Sequence, residues 1–284
     1  MDQNSVVIVT GASAGIGKAA AAELAKTNAQ IVMLCRDRTR GEQALREVRA
    51  QSGSSNLTLM LCDLGSQKSI EAFCLAFRKK YSRLDVLINN AGVAMFKRRV
   101  TADGYEAHFG VNHLGAFLLT NRLLDLLIAS APSRIVNVSS NTHANGRIFF
   151  DDVNLTNNYR PWRAYEQSKL ANIMFTYSLA EQLAGTGVVA NCLHPGAVAT
   201  SIGVNRSTHF AKIIRRIIKP FFLTAEKGAQ TVVYLAASPE IQGITGKYFY
   251  RKQPVPSSKL SYDKAAAKRL WDLSEQMTQT SVSD

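Results

Sequence analysis

Short apolar runs alternate with longer amphipathic or alanine-rich stretches along most of the chain. Val6–Thr10 is the first such run and stops at glycine; 16–26 follows, alanine-rich and helical in period. The pattern then predicts a strand at 31–35, a helix at 42–50, a strand at Leu57–Leu61 and a helix at 67–81. In that last helix Ile70, Phe73, Cys74 and Phe77 recur at helical spacing. Val86–Asn89, 134–139, Val188–Leu193 and 246–250 predict further buried strands, and 163–184 a long helix. Short apolar strands separated by helices of ten or more residues imply a parallel sheet covered on both faces. Right-handed crossovers then give a doubly wound α/β sheet. With 284 residues and no linker, repeat or change of composition, one domain is expected over 1–276, followed by a polar tail at 277–284.

Where the first strand ends, the sequence reads Thr10-Gly11-Ala12-Ser13-Ala14-Gly15-Ile16-Gly17. A turn that lets a phosphate approach the backbone needs glycine, and the helix N-terminus behind it offers free N–H groups and partial positive charge. The spacing is G-x-x-x-G-x-G. Alone it equally describes a tight strand-to-helix turn; its position on the first strand favours dinucleotide binding. After the second strand, Cys35 stands where an acid would hold the ribose hydroxyls of NAD, and Arg36 follows. A guanidinium suits a 2′-phosphate, so NADP(H) is the preferred cofactor, with NAD(H) left open by Asp37.

Tyr165 and Lys169 stand four apart and share a face of the predicted helix. A phenol near pKa ~10 is a poor base at neutral pH; bringing it to ~7 takes about 4 kcal/mol of phenolate stabilisation. A lysine ammonium a few ångströms away, helped by a positive oxidised nicotinamide, could supply that in a partly dry site. Tyrosine and lysine at this spacing are a common accident on helix surfaces. The Ser139-Ser140 pair at a strand end and the glycine turn upstream make the combination specific.

These segments together resemble the classical short-chain dehydrogenases/reductases, whose fold is Rossmann-like. The resemblance rests on 10–17, Asn89-Asn90-Ala91-Gly92, Asn112, Val138-Ser139-Ser140, Tyr165 with Lys169, and Pro195-Gly196 followed by Val198 and Thr200. It implies that Tyr165 is the general acid/base and that Lys169 lowers its pKa and holds the ribose. It implies that Ser140 binds the substrate oxygen and that Asn112 supports a proton relay. Gly11, Ser13, Ala14, Gly15, Ile16 and Gly17 would surround the pyrophosphate, with Arg36 at the adenosine ribose. Asp63 and Leu64 would meet the adenine side, and Asn89, Ala91 and Gly92 the cleft. Pro195, Gly196, Val198 and Thr200 would flank the nicotinamide. Cys35-Arg36-Asp37, Val111-Asn112-His113-Leu114-Gly115 and His194-Pro195-Gly196 are most similar to the NADP-preferring retinol dehydrogenase group. The implied reaction is hydride transfer between NADP(H) and an apolar aldehyde or ketone, retinal-like. A steroid or other carbonyl reductase is the alternative within the family. A dinucleotide sensor without turnover is an alternative of another class, disfavoured by the complete Asn112, Ser140, Tyr165 and Lys169 set.

The stretch 207–223 carries Phe210, Ile213, Ile214, Ile217, Ile218, Phe221 and Phe222 with Lys212, Arg215, Arg216 and Lys219 between them. It predicts a basic amphipathic helix within a substrate lid at 201–223, with peripheral membrane contact, core packing or a homo-oligomer face as its uses. Phe149, Phe150 and Trp162 are candidates for the pocket wall. The formal net charge is +13, but no nucleic-acid motif accompanies it, so no nucleic-acid partner is expected. The five histidines have no metal spacing; His108 and His113 read as structural, and His143 as the one to examine in the pocket. Four scattered cysteines without C-x-x-C spacing read as free thiols, and no apolar run approaches a membrane span. No signal peptide or anchor is expected, and the expected location is cytoplasmic.

Overall fold

The computed structural model describes residues 1–196 and 223–278. Its sheet contains β1 (Val6–Thr10), β2 (Gln30–Cys35), β3 (Leu57–Leu61), β4 (Val86–Asn89), β5 (Ser133–Val138), β6 (Val188–Leu193), β7 (Tyr248–Tyr250) and β8 (Gln253–Pro254). The order is β3-β2-β1-β4-β5-β6-β7-β8. The first seven strands run parallel, and β8 turns back antiparallel on β7. This closing hairpin departs from the all-parallel expectation. Its turn is made by Arg251 and Lys252, both at positive φ, with no glycine to announce it.

Strand order reverses between β1 and β4, so a crevice opens at the carboxyl ends of these two strands. One face of the sheet is covered by α1 (Gly15–Ala25), α2 (Arg38–Ser52) and α7 (Ala225–Ala237). The other is covered by α3 (Gln67–Lys80), α4 (107–122), α5 (Leu124–Ala129), α6 (Pro161–Gln182) and α8 (Lys264–Thr278). α1 carries alanine at 19–22 and at Ala25, and these small side chains let it lie close against the sheet and α7. α2 is longer than its apolar period predicts because Asp37 caps its first turn, its carboxylate accepting the Arg40 N–H at 2.8 Å. Asp37 is thereby engaged in the fold.

α4 is continuous but not uniform: Ala107–Phe109 is α-helical, Gly110–Leu114 forms a π turn, and Gly115–Arg122 resumes the α-helix. Asn112 sits in the middle of the π turn, where one extra residue widens the helix. At the C-terminus α8 runs through Thr278, two residues past the predicted domain edge. Its Met277 carbonyl accepts hydrogen bonds from Gln67 Nε2 and Tyr105 Oη, each at 2.8 Å. Trp271 stacks edge-on against Phe117 at 4.9 Å, tying α8 to the core. Of the lid predicted at 201–223, with its helix at 207–223, all but Leu223 lies outside the described residues, as do Val198 and Thr200.

Candidate active site

The glycine turn occupies the crevice. Gly11 has φ +67°, and a Cβ there would lie 2.8 Å from the Ala91 Cα. A Cβ on Gly17 would strike the Gly11 carbonyl oxygen at 2.6 Å and the Asn90 amide. Gly17 therefore serves the close seating of α1 under the turn, while Gly11, Ser13, Ala14, Gly15 and Ile16 line the open cleft. A latch holds the β1 and β4 ends together. Thr10 Oγ1 accepts the Asn90 and Ala91 N–H groups at 2.9 Å, and Asn90 Nδ2 donates to the Thr10 carbonyl at 2.8 Å.

The cleft holds about 430 Å³ and runs from the second strand end to α6. Arg36, Asp37 and Arg40 border one end; Asp63, Leu64, Ala91 and Gly92 line the middle; Ser140, Tyr165, Lys169 and Pro195 line the other. Arg40, Asn90, Val93, Ala94 and Met95 line it without having been predicted. Asn90 lay inside a recognised motif, whereas nothing in the local sequence marked Met95. Asn89 is brought near but not into the cleft: its Nδ2 donates to Thr120 Oγ1 of α4 at 2.9 Å and to Asn137 Oδ1 of β5 at 2.8 Å. Gly196, at φ +81°, stands just beyond Pro195 and against Leu223.

α6 begins with Pro161 and presents Tyr165 and Lys169 toward the end of β5. Ser139 Oγ donates to the Lys169 carbonyl at 2.7 Å, which fixes α6 against that strand. Lys169 is buried, and its Nζ donates to the Val138 carbonyl at 3.0 Å. The same ammonium lies 5.6 Å from the Tyr165 ring centroid. Burial brings the Lys169 amine down to about 8. Tyr165 is pushed above its ordinary range by burial, with the Ser140 hydroxyl acting in the opposite direction. At Tyr165, desolvation outweighs the Ser140 hydrogen bond.

Asn112 lies behind Gly92, where a Cβ would come within 3.3 Å of Asn112 Oδ1 and 3.6 Å of Lys169 Nζ. Its Oδ1 accepts the Val93 N–H at 2.7 Å, and its Nδ2 donates to the Val93 carbonyl and to Ser168 Oγ, each at 3.0 Å. The amide thus braces the cleft wall against α6. His143 is structural: Nδ1–H donates to the Ser140 carbonyl at 2.8 Å and Nε2 accepts the Ser258 N–H at 3.1 Å. His113 is fully enclosed, and burial lowers its pKa to about 3. Phe149 lies under the Arg163 guanidinium and Phe150 under that of Arg269. Trp162 is exposed but meets the Tyr165 ring edge-on at 6.5 Å.

All four cysteines are free and buried. Among the described residues no cluster of histidine, cysteine and carboxylate could hold a metal, and no helix is long and apolar enough to cross a membrane.

An open parallel sheet with a glycine-lined crevice at its switch point, and a serine, tyrosine and buried lysine at one end, defines a dinucleotide-dependent oxidoreductase. The short-chain dehydrogenase family model matches residues 5–210. The chain belongs to that family, which uses a nicotinamide dinucleotide. It is 44% identical to human retinol dehydrogenase 14 over 288 residues, covering 95% of this chain and 85% of the relative. It is also 44% identical to human retinol dehydrogenase 13, covering 93% and 82%. Among solved structures it resembles an uncharacterised protein of Mycobacterium paratuberculosis, with TM-score 0.77, 34% identity and coverage of 97% and 94%. It also resembles the actinorhodin polyketide ketoreductase with NADPH, with TM-score 0.67, 25% identity and coverage of 88% and 97%. It is thus an oxidoreductase related to retinol dehydrogenases.

Proposed function

We propose that this protein transfers hydride between NADP(H) and an apolar aldehyde, ketone or alcohol of the retinal/retinol kind. The observation that carries the reading is the buried Lys169 beneath Tyr165, in the same cleft as Ser140 and the glycine turn. The residues fit a dinucleotide. The turn at 11–16 lines the cleft at the N-terminus of α1, and the hydrogen bond of Lys169 Nζ to Val138 leaves two N–H groups for ribose hydroxyls.

Gly11, Ser13, Ala14, Gly15 and Ile16 would cradle the pyrophosphate at the N-terminus of α1. Asp63, Leu64, Ala91 and Gly92 would hold the adenine and nicotinamide ribose sides, and Pro195 and Gly196 the nicotinamide. NADP(H) is favoured over NAD(H) because Arg36 and Arg40 border the adenosine end while the Asp37 carboxylate caps α2. A bound nicotinamide supplies the hydride for reduction or accepts it for oxidation.

For reduction, Ser140 donates a hydrogen bond to the substrate carbonyl and orients it. Tyr165 delivers its phenolic proton to the same oxygen as charge develops there. A phenol held high by burial is in the right form to act as the acid. In the alcohol direction the phenolate must form, and the Lys169 ammonium, together with the positive charge of the oxidised ring, favours it. Asn112 keeps the wall at Val93 and α6 in register. We extend the proposal to a cytoplasmic location, with peripheral membrane contact through 207–223.

The test is a rate panel of NADPH and NADH oxidation against retinal, medium-chain aldehydes, steroids and quinones. NADPH with retinal or a long apolar aldehyde should give the highest kcat/KM. Turnover only with NADH, or none with any carbonyl, would overturn the reading.

A further inference from the structure

Beside the catalytic groups lies a buried acid–imidazole pair that the proposed chemistry does not use. Glu106 is 0% exposed and His108 1%. His108 Nδ1–H donates to Glu106 Oε1 at 2.7 Å, and Glu106 Oε2 accepts the Phe109 N–H at 3.0 Å. The second imidazole nitrogen, Nε2, accepts the Met95 N–H at 2.8 Å. A backbone amide can only donate, so Nε2 is the bare nitrogen and the ring proton sits on Nδ1, facing the carboxylate.

Capping α4 would need only one carboxylate oxygen, and Asp or Ser would do it without enclosing a titratable side chain. Enclosing both groups carries a desolvation cost, so the second half of the pair calls for its own explanation. What it reaches is the cleft. Met95 lines it, belongs to no helix or strand, and has its carbonyl within 3.5 Å of the Tyr159 hydroxyl. The His108 ring also stands edge-on to the Tyr165 ring, with centroids 6.1 Å apart at 77°. One imidazole therefore touches both the general acid and the backbone of the wall near it.

We infer that Glu106 and His108 are positioning residues that hold the Met95 stretch of the cleft wall at a set distance from Tyr165, fixing the width of the substrate end. This rests on the reading of the cleft as a carbonyl site. Glu106 orients the ring, and the ring fixes Met95.

His108→Phe keeps an aromatic ring beside Tyr165 and removes both hydrogen bonds. Because it strands the Glu106 carboxylate, the Glu106→Gln/His108→Phe double variant accompanies it. His108→Gln is the rescue, its amide offering a donor and an acceptor. Two readouts are taken. By hydrogen exchange, the Met95 amide should be protected in the parent, exchange about 100-fold faster in the two Phe variants, and regain protection in His108→Gln. By kinetics, KM for the carbonyl substrate should rise about tenfold in the Phe variants, with kcat less affected and cofactor affinity unchanged. Unchanged Met95 exchange, or faster exchange with an unchanged KM, would overturn the inference. If the parent turns over no carbonyl, the proposed function fails, and Met95 exchange still decides whether the pair holds the wall.

Discussion

Lys169→Met should separate what the buried amine does for the site from what it costs the fold. Burial takes the amine from its ordinary 10.5 to about 8 in the folded chain. Between those values the unfolded chain binds more protons than the folded one, so the parent gains stability as pH rises through that window. At pH 7 both states are protonated, and the folded parent carries most of the cost of an enclosed ammonium, about 3 kcal/mol. Methionine matches the length without the charge and removes that term. It also leaves the Val138 carbonyl without its Nζ–H partner, a loss of roughly 1–3 kcal/mol. The net change at pH 7 is therefore small, but the two terms differ in pH dependence, because only the charge titrates. Urea unfolding of parent and variant at pH 7 and pH 10 should show the parent gaining about 2.5 kcal/mol on the variant over that interval. Groups that titrate alike in both proteins cancel in the difference. A gap that moves by less than ~1 kcal/mol would refute the assignment of Lys169 as a desolvated ammonium. Turnover by the variant should be lost at both pH values.

Tyr165→Phe should abolish turnover while leaving NADPH affinity, read by fluorescence titration, nearly intact; activity within about tenfold of the parent would refute its role as proton donor. Arg36→Asp should move the NADPH/NADH ratio of kcat/KM toward NADH, by about tenfold or more; an unchanged ratio would make Arg36 a solvated surface charge. Gly17→Ala should lower stability by about 1–3 kcal/mol in urea unfolding, because its methyl meets the Gly11 carbonyl and the Asn90 amide; a variant as stable as the parent would refute the close seating of α1. His143→Phe should cost stability through the stranded Ser140 carbonyl and Ser258 N–H, with KM little changed; a large rise in KM at constant stability would put His143 in the substrate pocket.

The parallel strands, the first three helices and α6 were legible because each buries a short apolar run or a periodic stripe, and the local pattern carries that information. The ends were less so. α2 starts at Arg38 because Asp37 caps it, which the apolar period from 42 onward does not reveal. The β7–β8 hairpin turns at Arg251 and Lys252, residues with no intrinsic turn preference, so tertiary contacts impose it. At the site, Gly11, Ser140, Tyr165 and Lys169, singled out from residue type and spacing, line one cleft. Arg40, Met95 and the Glu106–His108 pair did not stand out in that way. Each enters through a fold in the chain, and a lone methionine or histidine in sequence has many uses.

The π turn in α4 gives the length of that segment a meaning of its own. Its upstream half is tied down by Glu106 and His108, and its downstream half by Phe117 against Trp271 and by Thr120, whose Oγ1 accepts from Asn89 Nδ2, all four α4 residues buried. Deleting one residue from 110–114 would restore an ordinary helix and turn one half against the other by about 100°. Neither half could follow without unburying its own anchors, so Asn112 would leave either Val93 or Ser168. Residue count here acts as a sequence character, and a gap at this place in an alignment would signal a lost brace even where the asparagine itself survives.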